Sequence, residues 1–189
     1  MKETSIIHEI PAVWDYESRI LLLGTMPSPA SRKAGFFYMH PQNRFWSVLS
    51  SVFDEEFKVA NHDFKKLGVE SNNENKAAEI FRVAIQERRD FLLRHNIALW
   101  DVLSSCDING ASDASIKNAV ANDFSTVFSK SKIKRIFCTG KTAFNLWNKL
   151  CAEKYEAKFK LKSECLPSTS PANASWPLEK LIKAYSVIV

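Results

Sequence analysis

The sequence predicts an α/β protein of three layers, with helices on both faces of a mainly parallel central sheet. Three observations predict it. The apolar run 20–23 (ILLL) has the length of a buried strand, stops at Gly24 and gives way, after a loop, to a helical pattern. The run 134–139 (KRIFCT) repeats the move, stopping at Gly140 before another helical pattern. Between them residues 76–95 carry the longest helical period in the chain, and strands that alternate with helices pair in parallel.

In chain order, the residues before Arg19 read as a lead-in loop in which Pro11 and Trp14 cover a core edge. After the first strand, Thr25 to Ser31 form a loop of small and rigid residues, followed by Phe36, Phe37 and Tyr38. Residues 43–53 form a helix with Phe45, Trp46, Leu49, Val52 and Phe53 inward. A polar connection runs to Asn75, pinned by Phe57, Phe64 and Leu67. In the helix 76–95, Ala77, Ile80, Phe81, Ala84, Ile85, Phe91 and Leu92 face in, and Arg82, Glu87, Arg88 and Arg89 face out. Residues 97–103 are either a strand or a helical turn, read here as a short segment leading into a loop. The turn-rich stretch 107–113 (DINGASD) lies at the rim of any crevice. Residues 118–128 form a helix, 134–139 a strand, and 141–151 a helix with Phe144, Trp147 and Leu150 inward. A strand 159–166 is broken by Pro167, and a last helix runs from Ala174 or Ser175 to Ser186 on Leu178, Leu181, Ile182 and Tyr185. No repeat or low-complexity tract divides the 189 residues, so one domain over 1–189 is expected.

Composition narrows the class. No apolar run approaches the ~20 residues of a membrane span, and the N-terminus lacks the apolar core of a secretory signal, so a cytoplasmic protein is expected. The four cysteines, Cys106, Cys138, Cys151 and Cys165, are too scattered for a zinc or iron–sulfur site and read as buried or incidental thiols. The net charge of +5 leans weakly toward a polyanionic partner. Lys130, Lys132, Lys134, Arg135 and Lys141 form a basic cluster, read mainly as a solvated face.

Two loops follow strand ends, 24–43 and 167–173, and in a parallel sheet both leave from the edge where ligands bind. The second (PSTSPAN) offers hydroxyls and amides to phosphate oxygens, with Ser168 and Ser170 the better candidates because the loop ends at a helix start. Asn43 is a favoured helix N-cap and also a candidate functional amide, two roles that can coexist. His40 is either a base or phosphate contact or a structural histidine, and Arg44 is read as a solvated helix residue rather than a phosphate contact. Of Phe36, Phe37 and Tyr38, at least one must line the crevice, since three in a row cannot all face inward.

GTMPS at 24–28, GFFYMHPQNRFW at 35–46 and LPSTSPANASW at 166–176 resemble the motifs of the uracil-DNA glycosylase superfamily. The closest likeness is to its hypoxanthine-DNA (deoxyinosine) glycosylase family and its mismatch-specific branch. The resemblance implies that fold, and it implies an enzyme that flips a deaminated base out of DNA and hydrolyses its glycosidic bond with water. It implies Asn43 as the catalytic amide and a base pocket of Gly24, Thr25, Met26, Pro27, Ser28, Phe36, Tyr38 and His40, with Tyr38 the stacking surface. It implies DNA contacts from Gln42, Ser168, Thr169, Ser170, Ala172 and Asn173. It implies no cofactor, no metal and no membrane partner, and a monomer acting on DNA that contains a deaminated base.

Two positions depart from the pattern. Mismatch-specific uracil enzymes carry Asn in a Gly-x-Asn-Pro motif where this chain has Met26, and methionine cannot hold a water. The hypoxanthine family is similarly apolar there, which moves the expected substrate from uracil to hypoxanthine. The duplex-wedging position, Leu in that branch, is Ala172, so Asn173 is a second candidate for the wedge. Three alternatives stand beside this reading: a G/U or G/T mismatch enzyme, a catalytically silent DNA-binding member, and an unrelated α/β enzyme for a small phosphorylated ligand. The last is poorly equipped with only five glycines.

Overall fold

The computed structural model describes residues 4–60, 74–110 and 112–189, with side chains from Ala78 onward in the long helix. Its frame is a four-stranded sheet in the order β3-β2-β6-β7, all parallel. The strands are β2 (Ile20–Gly24), β3 (Ile97–Asp101), β6 (Arg135–Thr139) and β7 (Lys162–Leu166). Side chains alternate along them, so each strand feeds two cores. Leu22, Leu99, Phe137 and Leu166 pack on one face under α2 (Phe45–Phe53), α3 (Glu74–Arg94) and α7 (Leu178–Tyr185). Leu21, Leu23, Ala98, Ile136 and Cys138 pack on the other, under α4 (Ser125–Ser129), α5 (Lys141–Leu150) and α6 (Ala152–Phe159). Each fully buried leucine or phenylalanine contributes about 1.5–3 kcal/mol. The expected three layers are therefore present, and no described helix is long and apolar enough to cross a membrane.

Several elements differ from the sequence reading. The lead-in contains β1 (Thr4–Ile7), which joins β4 (Leu103–Ile108) and β5 (Lys117–Ala121) in a second, antiparallel sheet ordered β1-β4-β5. Residues 97–101 are β3 and Leu103 opens β4 after a bend at Val102, so of the two alternatives the strand holds, and it leads into a second strand rather than a loop. The stretch 118–128, read as one helix, is β5 followed by the short α4; Asn118 at φ +47° and the register shifts of β4 against β5 mark an irregular edge hairpin that helical spacing imitates. Phe159 closes α6 rather than opening β7, and the last helix starts only after Pro177. In the lead-in, Ile10 and Val13 enter the core while Pro11 stays exposed. Phe57 does pin its segment, edge-on to Trp46. Phe64 and Leu67 lie outside the described residues, as does the side chain of Ala77.

Arg88 reverses its expected direction: it is wholly buried, not outward. Its guanidinium donates to the carbonyls of Ala84 at 3.0 Å and Val59 at 2.8 Å, and it lies over Phe57 and Trp46 at 4.9 and 5.4 Å. Burial lowers its pKa to about 10, so the charge persists at neutral pH. Helical period alone cannot tell an arginine that spans the core from one that is solvated.

Candidate active site

Strand ends build the site. Gly24 ends β2, Asp101 ends β3, Thr139 ends β6, and Ser168 lies just beyond β7. Between them opens a cavity of about 610 Å³, within the size range of small-ligand pockets. The loop after β2 is not a plain loop. Ser28 accepts the backbone N–H of Ser31, Pro29 occupies the first turn, and Gly35 at φ +71° ends a short helix α1 (Pro29–Ala34). That turn returns the chain to the cavity at Tyr38.

The aromatic trio divides. Phe36 leaves the cavity and stacks on Trp46 at 5.9 Å in the core, which corrects its expected place in the base pocket. Phe37 and Tyr38 line the wall. Tyr38 sits at φ +54°, a region aromatic residues rarely adopt, and two contacts hold it there. Its ring stacks on Phe45 at 3.8 Å, and its hydroxyl is 2.6 Å from Thr139 Oγ1. Thr139 spends its own hydrogen on the Leu23 carbonyl at 3.1 Å, so Tyr38 is the donor to Thr139.

Burial first, then the charge of Asp101, raise the Tyr38 phenol well above its ordinary pKa, and burial raises Tyr185 likewise. The native state therefore keeps these protons where the unfolded chain loses them. Unfolding free energy is expected to be independent of both groups up to about pH 10 and to fall above it. Urea titrations from pH 8 to 11 check this, and Tyr38→Phe should flatten the alkaline decline.

Asn43 lines the cavity and stands one residue before the N-cap position of α2, which Arg44 occupies, so it is not the N-cap expected but closes a turn onto the first helical residue. Its Oδ1 accepts the backbone N–H of Phe45 at 2.9 Å and the Thr169 hydroxyl at 3.0 Å. The second contact joins the two motif loops across 126 residues of sequence. Arg44 completes the joint and is not the solvated residue expected. Its Nε donates to the Thr169 carbonyl at 3.2 Å, and its guanidinium also reaches the carbonyls of Ser170, Asn173 and Trp176.

Met26, Pro27 and Ser28 line the cavity, as do Thr25, Gly24 and His40. His40 Nδ1 accepts the Gln42 N–H at 3.2 Å, and Gln42 itself is exposed and off the cavity wall. Ser168, Thr169, Ser170, Ala172 and Asn173 all line it. Ser168 and Ser170 do not lie at a helix start; each accepts a backbone N–H two residues on and shapes a self-bonded turn. Asn173 ties that turn together by donating to the Ser168 carbonyl at 2.9 Å.

Two carboxylates were not singled out. Asp101 is almost fully buried, and its Oδ2 lies 2.9 Å from Nε2 of His8, whose side chain is also buried. Asp113 sits on the rim, where Gly110 and Ser112 also line the cavity, and accepts the Thr25 hydroxyl at 3.0 Å. Crowding by protein raises the pKa of Asp113, while the Thr25 hydrogen bond opposes the rise. DINGASD was expected at the rim, and residues 110, 112 and 113 are there; Asp101 ended an apolar run and carried no motif signal. Burial raises the thiols of Cys106, Cys138 and Cys151, the last to about 12, so none is poised as a nucleophile.

Comparisons with known proteins agree with the fold. The family profile described as the Uracil DNA glycosylase superfamily matches residues 11–186. The chain is 29% identical over 154 residues to the Hypoxanthine DNA glycosylase of Methanosarcina barkeri, covering 81% of this chain and 83% of that one. It is 30% identical over 165 residues to the Hypoxanthine DNA glycosylase of Methanosarcina acetivorans, covering 86% and 85%. A Methanosarcina acetivorans protein proposed as a uracil DNA glycosylase and solved by solution NMR superposes with a TM-score of 0.67 at 22% identity, covering 98% of this chain and 99% of that one.

Proposed function

The chain belongs to the uracil DNA glycosylase superfamily, and we propose that it is a monofunctional DNA glycosylase whose preferred substrate is hypoxanthine in DNA. The observation that carries this reading is the pairing across one cavity of the Asn43 amide with the apolar Met26. Where a motif-one asparagine would hold water for uracil there is a thioether, and the amide comes instead from the HPQNRF turn.

The flipped base enters beside Tyr38, whose ring is braced from behind by Phe45. Hypoxanthine presents a lactam N–H, and Asp101 and Asp113 are acceptors for such a group. The same carboxylates disfavour a phosphate in the cavity, which argues against the small phosphorylated ligand. The DNA backbone is met by the Ser168 and Ser170 hydroxyls on the cavity lining, which keep a hydrogen to donate, and by Gln42 off the cavity wall. The C1′–N9 bond breaks with its electron pair leaving on the purine. Water bonds to C1′, and the proton it sheds ends on the departing base. This hydrolysis asks for no metal or organic cofactor, and the acting unit is a monomer working where the chromosomal DNA lies.

Duplexes carrying hypoxanthine, uracil or thymine opposite each base, treated with the protein and then alkali, test the reading. Hypoxanthine should be released, and Asn43→Ala should slow its release on the order of 10²-fold. Met26→Asn should leave hypoxanthine release in place and raise uracil release. Uracil release that survives Asn43→Ala would make this a mismatch uracil enzyme with its chemistry elsewhere. DNA binding with no release of any base would make it a silent binding member.

A further inference from the structure

The hydrogen bonds around Asn43 fix which end of its amide can act. A backbone N–H can only donate, so the atom 2.9 Å from Phe45 N is the oxygen, and the amide cannot be flipped. The Thr169 hydroxyl, almost fully buried, takes a second place on the same oxygen at 3.0 Å. Both lone-pair directions of Oδ1 are therefore used by the protein. Nδ2 has no acceptor among the described residues, and the side chain lines the cavity. What Asn43 offers a substrate is a pair of N–H donors.

A donor is the wrong polarity for activating a water, which must be held through its hydrogens as its oxygen attacks. It is the right polarity for a purine on which negative charge grows as the glycosidic bond breaks. The cavity carries two carboxylates, Asp101 and Asp113, so that beside the one that meets the lactam N–H an acceptor is left to hold a water by its hydrogens. The division of labour follows from polarity alone.

We propose that Asn43 acts by donating through Nδ2 to the departing base rather than by holding the attacking water, and that Thr169 is the positioning residue that aims it. The proposal rests on the glycosylase reading above and deepens it. Asn43→Asp separates the two roles, because a carboxylate keeps the acceptor for Phe45 and Thr169 but has no N–H. Single-turnover release of hypoxanthine at neutral pH should be as slow in Asn43→Asp as in Asn43→Ala, on the order of 10²-fold below the native rate. Thr169→Val removes the hydroxyl at nearly constant shape. It should lower the single-turnover rate about tenfold with little change in DNA affinity, and Thr169→Ser should restore it. Restoration by a smaller hydroxyl residue is not expected of a merely structural contact.

Asn43→Asp that retains a rate within a few-fold of native, beside an inactive Asn43→Ala, would overturn the donor role and leave the glycosylase reading standing. A Thr169→Val protein with a native rate would overturn the positioning role. No release of hypoxanthine by the unsubstituted protein would instead defeat the glycosylase reading itself.

Discussion

Gly24→Ala should reduce base release by about 10³-fold or more while the chain still folds. A Cβ built on Gly24 would lie 2.1 Å from Asp101 Oδ1 and 2.8 Å from the Tyr38 hydroxyl. Neither neighbour can give way freely. The other oxygen of Asp101 is tied to His8, and the Tyr38 hydroxyl is tied to Thr139, which is tied in turn to β2. The methyl would displace the buried carboxylate and the aromatic platform together, and shifts near 1 Å in such groups cost about 10²-fold each. Overpacking against them is expected to lower stability by about 1–3 kcal/mol. Asp101→Ala opens the space, so Gly24→Ala should cost far less stability on that background than on the native one, and urea unfolding of the four proteins reads the coupling. Full additivity of the two substitutions would show that Gly24 is required for some other reason.

The sequence reads Gly24 as a strand end and as a backbone position that lets substrate or neighbouring chain approach closely, and the neighbour proves to be Asp101. The glycine backbone stays within β2, paired with Asp101 across the ladder, so the requirement is close approach by the neighbouring strand's side chain rather than an unusual turn. What was legible in the sequence shares one property: it is written in consecutive residues. The parallel strands follow from short apolar runs that stop at Gly24 and Gly140, and the two loops that form the cavity each carry a continuous motif. What was not legible depends on partners far along the chain. Asp101 gains its meaning from His8, 93 residues away. Arg88 is inward because the Val59 carbonyl and the rings of Trp46 and Phe57 meet it there. Phe36 and Tyr38 are two residues apart and chemically alike, yet the positive φ of Tyr38 sends one to the core and leaves the other on the cavity. Periodicity carries no record of that turn. At Asn43 the sequence allowed a structural and a functional role to coexist, and the geometry shows how they can: the oxygen takes the Phe45 N–H at the start of α2 and the Thr169 hydroxyl, while the nitrogen has no acceptor among the described residues.

Arg44→Ala is the second substitution expected to have a large effect, and it tests how the two motif loops form one site. The guanidinium gathers the carbonyls of Thr169, Ser170, Asn173 and Trp176. Hydrogen bonds to a charged group are worth about 1.5–3 kcal/mol each in favourable cases, and their loss here is shared between solvation and loosening of the loop, so a net cost of about 3 kcal/mol is expected. Activity should fall by about 10²–10³-fold, because the freed loop carries Thr169 and with it the aim of the Asn43 amide. Arg44→Lys should fail nearly as badly, since one ammonium cannot span a planar fork of carbonyls. Amide exchange over residues 168–176 should quicken in both variants while the central strands stay protected. If Arg44 met a DNA phosphate instead, its removal would reduce the salt dependence of DNA binding by about one counterion, leaving exchange in the loop unchanged. An unchanged salt slope with a loosened loop is the outcome that the clasp requires. It would also explain why a positive residue stands beside the proposed catalytic amide: its charge is spent on holding the far loop in place.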